Sequence, residues 1–408
     1  MAMNLRWTTG EQDEERVALT RLRCYERADN TLDAMRACAR ADRESGEAEF
    51  LLATDDTEDV GTATSWTFDM VCRGAPVKCQ GVAWVGTIKT ARRRGNEGIA
   101  TTLMNQTIAR ARERGCVVSA LMPFRASFYQ HFGYGIVERR CEWTIPLSIL
   151  PAPDSSGFHF ANPDETDLIH ACRQRRVMNG QCDIVRSPAR WKLFHDNRQT
   201  SALTVVDRPD PAGPVRGWMW MQQVQKDGKD ILHVEDGSWD SPDALRRQLS
   251  FLGTLRDQYA SARLTLPVDV PLNHLLKEPQ VPHRLVNHAV PEMRAYTRMQ
   301  MRILDHAQFL QSLNWPTDVK GMATIRVQES EGPVSTFDVT VEAGRAQVRP
   351  SNASPHATTS DVTWASVATG NVRASDARQW GLIESNDCAT KLLDAMSVGP
   401  LPYSNEYF

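Results

Sequence analysis

The amino-acid sequence predicts a globular α+β protein of two or three domains. The first observation is its length, because 408 residues exceed what one ordinary hydrophobic core organises. The second is the proline-, serine- and glycine-rich stretch Leu150–Gly157, which is typical of a linker between periodic segments. The third is the order helix, hairpin, helix, strand that follows this linker.

The first segment, which ends near Pro146, combines helix and strand patterns. Val17–Arg40 carries apolar residues at roughly helical spacing, whereas Glu49–Ala53 and Gly81–Ile88 have the pattern of strands. We therefore expect a mixed fold before the linker.

The second segment, about residues 158–290, has a similar mixture. Gly217–Val224 and Ile231–Val234 flank a turn and predict a hairpin. A helix over Pro242–Ala260 and a strand over Arg263–Pro267 follow. The order loosely echoes the first segment and indicates a duplication.

The third segment, about residues 294–408, begins a further domain. Thr336–Val341 and Arg345–Val348 alternate on either side of a turn and predict paired strands. Ser360–Gly370 predicts a short capped helix, and Cys388–Ser397 predicts another helix.

Composition excludes several classes of protein. A net charge of −3 gives no reason to expect nucleic acid or an anionic membrane surface as a partner. No apolar run approaches the roughly 20 residues that span a bilayer. The polar, acidic start is unlike a secretory signal. Nine scattered cysteines lack metal-ligand spacing, so we expect no metal site and a reducing, cytoplasmic compartment.

A strand, a basic glycine-containing loop and a helix follow one another between Gly81 and Met104. The free N–H groups and the dipole at a helix start favour an anion, and glycines let the backbone approach a diphosphate. Arg92, Arg93 and Arg94 would add charge-assisted hydrogen bonds. The alternative is that the arginines form a solvated turn, since short motifs have a high false-positive rate.

A second motif follows this helix and an apolar strand. Tyr129-Gln-His-Phe-Gly-Tyr134, together with the loop, resembles the GCN5-related N-acetyltransferase (GNAT) superfamily. The register of the loop stays open. Either Gly98 and Ala100 are the paired small residues of the family pattern, or the pattern begins at Arg92 and Gly95 is the first of these small residues. The resemblance implies acetyl-CoA as cosubstrate, bound by Arg92, Arg93, Arg94, Gly95, Gly98, Ile99, Ala100 and Thr101.

Across nearly its whole length the chain resembles the Eis (enhanced intracellular survival) family of bacterial acetyltransferases. The resemblance rests on Arg92–Gly95, Phe128–Gly135 and the three-part layout, and on the final phenylalanine. It implies a catalytic GNAT domain over residues 1–148, a degenerate second GNAT-like domain over 149–292, and a sterol-carrier-protein-like α/β domain over 293–408. It also implies a homohexamer and a primary-amine acceptor, such as an aminoglycoside or a lysine side chain.

The resemblance further implies a mechanism. Tyr129 would be the general acid and the terminal carboxylate of Phe408 the general base, which fits the absence of any carboxylate from Gly81–Ala91. Backbone N–H groups of Val85, Gly86 and Thr87 are the candidate donors to the oxyanion. The alternatives are a core aromatic for Tyr129 and a frayed terminus for Phe408.

The acceptor is the least determined part of the prediction. A cationic acceptor would require acidic and aromatic walls, and the candidates are Tyr25, Glu26, Asp29, Asp33, Trp66 and Glu406. Each is also a plausible solvated surface residue. Two rival functions remain: a lipid-binding protein, and a catalytically inactive scaffold that binds coenzyme A.

Overall fold

The computed structural model describes residues 3–27, 30–56, 58–91, 98–196, 203–226, 228–283 and 289–408. The strands of these ranges form three sheets. None of the helices described is long and apolar enough to cross a membrane. Nor do these ranges contain three or more His, Cys, Asp or Glu side chains placed to hold a metal ion.

Strands and helices are interspersed along the chain, which confirms the predicted α+β class. In chain order the described strands are β1 (Asn4–Thr8), β2 (Ala48–Thr54), β3 (Asp59–Cys72), β4 (Ala75–Thr87), β5 (Val118–Leu121), β6 (Gly135–Ile136), β7 (Arg140–Pro146), β8 (Phe158–Phe160), β9 (Asp183–Ile184), β10 (Leu203–Asp207), β11 (Gly217–Lys226), β12 (Lys229–Trp239), β13 (Ser261–Pro267), β14 (Glu292–Tyr296), β15 (Gln300–Ile303), β16 (Gly321–Gln328), β17 (Ser335–Glu342), β18 (Arg345–Pro350), β19 (Ala357–Ser360) and β20 (Ile383–Ser385). The described α-helices are α1 (Glu14–Cys24), α2 (Leu32–Glu44), α3 (Ile99–Glu113), α4 (Ala126–Gln130), α5 (Thr166–Met178), α6 (Pro188–Asp196), α7 (Pro242–Gly253), α8 (His306–Ser312), α9 (Asp361–Ala368), α10 (Ala374–Gln379) and α11 (Asp387–Ser397).

The first two sheets have the same plan, as the similar order of elements in the first two segments of the sequence predicts. The first runs β1-β2-β3-β4-β5-β15-β6, with β9 added beside β3, and the second runs β8-β10-β11-β12-β13-β7-β14. In each sheet an antiparallel series leads to one parallel pair, β4 with β5 or β12 with β13. Each parallel pair is followed by two antiparallel strands.

The sixth strand of each sheet comes from the other half of the chain. β7 lies before the linker but pairs with β13 and β14 in the second sheet. β15 lies after the second segment but pairs with β5 and β6 in the first sheet. The predicted boundaries at 148 and 292 therefore do not coincide with the sheets. β7 lies within the first predicted range but belongs to the second sheet, whereas β14 and β15 lie at the start of the third range but belong to the second and first sheets.

The remaining strands form a five-stranded sheet in the order β18-β17-β16-β19-β20. Its apolar side packs with α8, α9 and α11 and is continuous with one face of the first sheet, so that Met301 and Trp364 belong to a single buried cluster. Its likeness to a sterol carrier protein stays a prediction.

Two predicted helices differ from the observed ones. The pattern over Val17–Arg40 is interrupted between α1 and α2, because the Thr31 hydroxyl caps α2 by accepting the Ala34 N–H at 3.1 Å. The helix predicted to reach Ala260 ends at Gly253, a residue with low helix propensity.

Candidate active site

A gap opens in the first sheet between β4 and β5. Their parallel pairing covers only Cys79–Val82 of β4 and the whole of β5. β4 continues to Thr87 beside β3, with β5 already ended. The far half of β4 therefore has a neighbouring strand on one side only.

A β-bulge lies in this half of β4. Ala83 is opposite Thr64 and Gly86 is opposite Thr62, so β4 has one extra residue between these pairs. Within the bulge Trp84 adopts a φ of +53°, which few non-glycine residues do. Because a bulge bends a strand and increases its twist, it turns the end of β4 away from β5.

Backbone groups at the end of β4 face the gap. The Ile88 N–H donates to the Val60 carbonyl at 3.0 Å, and Gly86 faces β3 in the same way. Since N–H directions alternate along a regular strand, that of Thr87, between Gly86 and Ile88, points to the opposite side. Of the three predicted oxyanion donors, Thr87 thus faces away from β3 and Gly86 faces the sheet, whereas Val85 lies within the bulge, where the alternation is interrupted.

Tyr25 covers one side of the bulge. Its hydroxyl donates to the Val85 carbonyl at 2.6 Å, and its ring lies edge-on to Trp84 at 5.3 Å between centroids. A Cβ at Gly86 would lie 2.7 Å from Cys24 Cβ and 3.0 Å from the Tyr25 ring. Glycine is therefore required at Gly86 by close packing.

The helix predicted to bind the diphosphate begins at Ile99. Gly98 is its N-cap, with a φ of +79° that favours glycine, and a Cβ at this position would meet no atom within 4 Å. The first-turn N–H groups of Ile99, Ala100 and Thr101 have no partner within the helix. Arg92, Arg93, Arg94 and Gly95 lie outside the described residues.

Tyr129 lies on α4, the short helix that follows β5. Its side chain is 5% exposed and packs edge-on against Phe128, with 5.0 Å between ring centroids. Burial raises the pKa of its hydroxyl to about 12. No residue in the described part of the chain forms a hydrogen bond with this hydroxyl, so its proton is not committed to another protein group.

The Tyr25 hydroxyl links Tyr129 to the 399–408 segment. Burial is the main cause that raises the pKa of Tyr25, and the neighbouring Tyr129 and Tyr407 hydroxyls raise it further. Tyr25 is therefore within electrostatic range of both Tyr129 and Tyr407, which lie far from it in the sequence.

A buried network that sequence reasoning missed fixes the strands beneath Tyr129. Ser119 on β5 donates to Gln80 Oε1 at 2.8 Å and shares a hydrogen bond of 2.7 Å with the Tyr134 hydroxyl. Gln80 on β4 donates in turn to the Thr107 carbonyl of α3 at 2.8 Å. The network joins β4, β5 and α3 where the gap begins. Ser119, a polar residue within an otherwise apolar strand, is the feature of the sequence that could have indicated it.

The 399–408 segment is held in place by buried polar groups. The Ser404 N–H donates to Glu138 at 2.9 Å, and Arg298 donates to the carbonyls of Ser404 and Glu406 at 2.7 Å each. Burial raises the pKa of Glu138, whose environment is almost wholly protein. These contacts fix the backbone that leads to Phe408.

Glu406 was predicted as a wall for a cationic acceptor, but it is paired with two arginines. It accepts from Arg173 at 3.1 Å and from Arg186 at 2.6 Å, and all three side chains are under 10% exposed. Its carboxylate anchors the segment, and this role was invisible in sequence because both arginines come from distant positions.

Phe408 lies over β4 where the gap begins. Its ring is 5.0 Å from that of Phe68, and a Cβ at Gly81 would lie 2.8 Å from Phe408 Cδ2. Gly81 pairs with Ala120, which is the penultimate residue pair before β5 ends. The structure thus brings Phe408 to the same part of the first sheet as the bulge.

The other residues predicted to form the acceptor wall lie in different environments. Trp66 is buried beneath Arg190, whose guanidinium lies 4.8 Å from its ring, so it cannot form a wall. Glu26 pairs with Lys89, and Asp33 pairs with Arg36 at 2.8 Å. Asp29 lies outside the described residues. Of the five that the structure describes, Tyr25 is the residue that contacts the bulge.

Replacing Glu406 with Gln is expected to lower the free energy of unfolding by about 2 kcal/mol, because it weakens a charge-assisted acceptor shared by two buried guanidinium groups, each of which keeps one other carboxylate. Urea denaturation measures the loss. The control is Asp33→Asn, which breaks an exposed ion pair with Arg36 and should change stability little. Equal losses in the two variants would contradict the anchoring role.

Comparison with known proteins matches two parts of the chain to one kind of domain. Residues 8–137 match a family described as acetyltransferase (GNAT) domain, and residues 182–303 match a second family of the same description. An uncharacterized N-acetyltransferase of Streptomyces avermitilis is 35% identical over 101 residues, which are 24% of this chain and 23% of that protein. The chain thus spans about a quarter of the length of this curated relative.

Solved structures share the whole fold. A GCN5-related N-acetyltransferase from Anabaena variabilis has a TM-score of 0.84 at 18% identity, covering 99% of this chain and 100% of that one. Eis1 from Mycobacterium abscessus has a TM-score of 0.80 at 20% identity, covering 100% of each chain. These likenesses are of fold, whereas the two domain matches also carry the sequence pattern. The chain therefore belongs to the GNAT acetyltransferases and contains two domains of that kind in tandem.

Proposed function

We propose that the chain is an acetyl-CoA-dependent N-acetyltransferase that transfers an acetyl group directly to a primary amine. The observation that carries this proposal is the convergence of Phe408 with the β4 bulge, on the domain that also holds Tyr129. A potential base and a potential acid are thereby supplied to one gap in the sheet.

Several features of the gap suit acetyl-CoA. The free amides of α3 and the left-handed Gly98 suit a diphosphate, and the open β4 edge suits an extended amide-containing arm. Thr87 Oγ1 is buried and has no hydrogen-bond partner among the described residues, so a polar ligand group in the gap would satisfy it. The arginines of residues 92–94 would add the charge that the diphosphate requires.

The proposed reaction uses two groups of the chain. The α-carboxylate of Phe408 takes a proton from the substrate ammonium, and the free amine attacks the thioester carbon. The C–N bond forms, the C–S bond breaks, and Tyr129 gives its proton to the departing thiolate. The new amide nitrogen loses its extra proton, which restores Tyr129, and the carboxyl group of Phe408 releases the proton it took to solvent. The N–H groups of Val85 and Thr87 stabilise the transient oxyanion.

Tyr129 is expected to remain a competent acid throughout the usual assay range. A general acid must hold its proton, and burial raises the pKa of Tyr129 to about 12, so it ionises only as the pH approaches that value. We therefore expect no fall in kcat from this group between about pH 6 and about pH 10. A falling limb in that range that Tyr129→Phe abolishes would contradict this assignment.

The proposed acceptors are aminoglycosides or lysine side chains, and release of coenzyme A tests them. A panel would compare an aminoglycoside, a lysine peptide and the same peptide acetylated at its lysine, each with acetyl-CoA. Turnover with either free amine and none with the blocked peptide supports the proposal, while no turnover with any amine refutes it. The predicted cytoplasmic location and homohexamer stay predictions.

A further inference from the structure

Two adjoining cavities lie beside the second sheet. Their volumes are about 220 and 300 Å³, and they share Arg176, Asp183, Trp239, Leu245 and Tyr403 as walls. No described residue of β4 lines either cavity, and neither Tyr129 nor Phe408 is among the lining residues.

The first cavity occupies the counterpart of the β4–β5 gap. β12 and β13 pair in parallel only over Ile231–His233 and Ser261–Arg263. Beyond these residues the two strands diverge, and Val234 and Leu264 line the space between them. The duplication has thus left a second opening in the second sheet.

Arg176 stands where the two cavities meet and has no counter-charge in contact. Its guanidinium lies 4.4 Å from the centroid of the Trp239 ring, but no described residue forms an ion pair or a hydrogen bond with it. Arg173, one turn earlier on α5, instead pairs with Asp183 at 2.7 Å. Burial lowers the pKa of Arg176, and the neighbouring Asp183 opposes this effect only in part.

The carboxylates around Arg176 are engaged elsewhere or lie apart from it. Asp183 is held by Arg173, and Asp269 accepts the Leu401 N–H at 3.0 Å. Glu142, which lines the first cavity, is opposite Arg294 across the ladder between β7 and β14. Two further carboxylates line the first cavity and also have partners: Asp236 pairs with Arg186 at 2.5 Å, and Glu235 lies 2.6 Å from His233. Arg176 therefore remains a cation at the junction without an ion pair to any described residue.

The apolar part of the walls lies on one side of the first cavity and over most of the second. α7 contributes Leu245, Leu249 and Leu252 to the first cavity, and the second is lined by Val270 and Leu275. Concave sites that combine an apolar wall with a few charged groups are typical of small-ligand sites.

We propose that the paired cavities bind an amphipathic carboxylate, with its head on the Arg176 guanidinium and its hydrocarbon body among the leucines of α7. Two N–H groups of a guanidinium match a carboxylate in geometry, and the Trp239 ring holds the guanidinium plane. Tyr403 and Asn405 also line the first cavity, so the ligand would contact the 399–408 segment.

Calorimetric titration of the full chain with octanoate, octanol and octylamine tests the charge preference. Octanoate is expected to bind about tenfold more tightly than octanol, the effect of one charge-assisted hydrogen bond. Arg176→Met should remove this advantage and leave octanol binding unchanged. The matched control is Arg175→Met, whose guanidinium donates to the Val215 carbonyl and lines neither cavity, and it should behave as the wild type.

A second variant covers the case in which Arg176→Met does not fold. Leu245→Trp fills the wall common to both cavities and should abolish octanoate binding while acetyl-CoA binding persists. The proposal is overturned if the wild type does not bind octanoate or if octylamine binds more tightly than octanoate. It is also overturned if Arg176→Met keeps the preference for octanoate over octanol, or if Leu245→Trp still binds octanoate.

Discussion

Converting the α-carboxylate of Phe408 to a carboxamide is expected to lower kcat by about 10²-fold or more, the usual contribution of a general base. The change removes the proposed base but keeps the Phe408 ring against Phe68 and the anchor at Glu406. The modified chain can be made by ligating an amidated peptide to the rest of the protein. Initial rates of coenzyme A release at saturating substrates measure the effect.

The control is the same ligation with an unmodified carboxylate, which should restore full turnover. A genetic version appends a short peptide after Phe408, with the same peptide placed before Met1 as its counterpart. A carboxamide enzyme with wild-type kcat would remove Phe408 from the mechanism. It would leave the assignment of Tyr129 to be judged separately.

Replacing Tyr129 with Phe is expected to lower kcat by about 10²-fold, because the thiolate then leaves without a positioned proton donor. The ring remains to pack against Phe128, so folding and the KM for acetyl-CoA should change little. Single-turnover measurements separate the chemical step from product release and show which of them slows.

Tyr134→Phe is the matched control, five positions along the same motif. Its hydroxyl bonds to Ser119 within the buried network, so its loss is expected to cost about 1 kcal/mol of stability. Its kcat should stay within a few-fold of wild type. If both variants lose kcat equally, the effect reflects damage to the motif, and Tyr129 is not the acid.

Local features of the site could be predicted from sequence because they depend on neighbours in the chain. The turn conformation of Gly98 and the start of α3 at Ile99 are set by residues next to each other. The Tyr129 motif likewise lies within one short helix and the turn after it. The bulge at Trp84 was missed, because strand periodicity does not show where a partner strand ends.

Long-range contacts could not be predicted in the same way. Trp66 and Glu406 had the chemistry of an acceptor wall, yet Arg190 covers the first and Arg173 and Arg186 neutralise the second. Each partner lies more than a hundred positions away, and one sequence contains no signal of such a pairing. The membership of β7 and β15 in opposite sheets was missed for the same reason.

The reciprocal exchange of β7 and β15 delays completion of the first sheet while the protein is being synthesised. When Leu121 leaves the ribosome, β5 has β4 on one side but must wait for Gln300–Ile303 before its other edge is paired. An exposed strand edge is a template for pairing with other chains. A nascent chain that stops between the two halves therefore presents an unfinished sheet, which makes a chaperone-binding and aggregation-prone intermediate the expected product of truncation near residue 148.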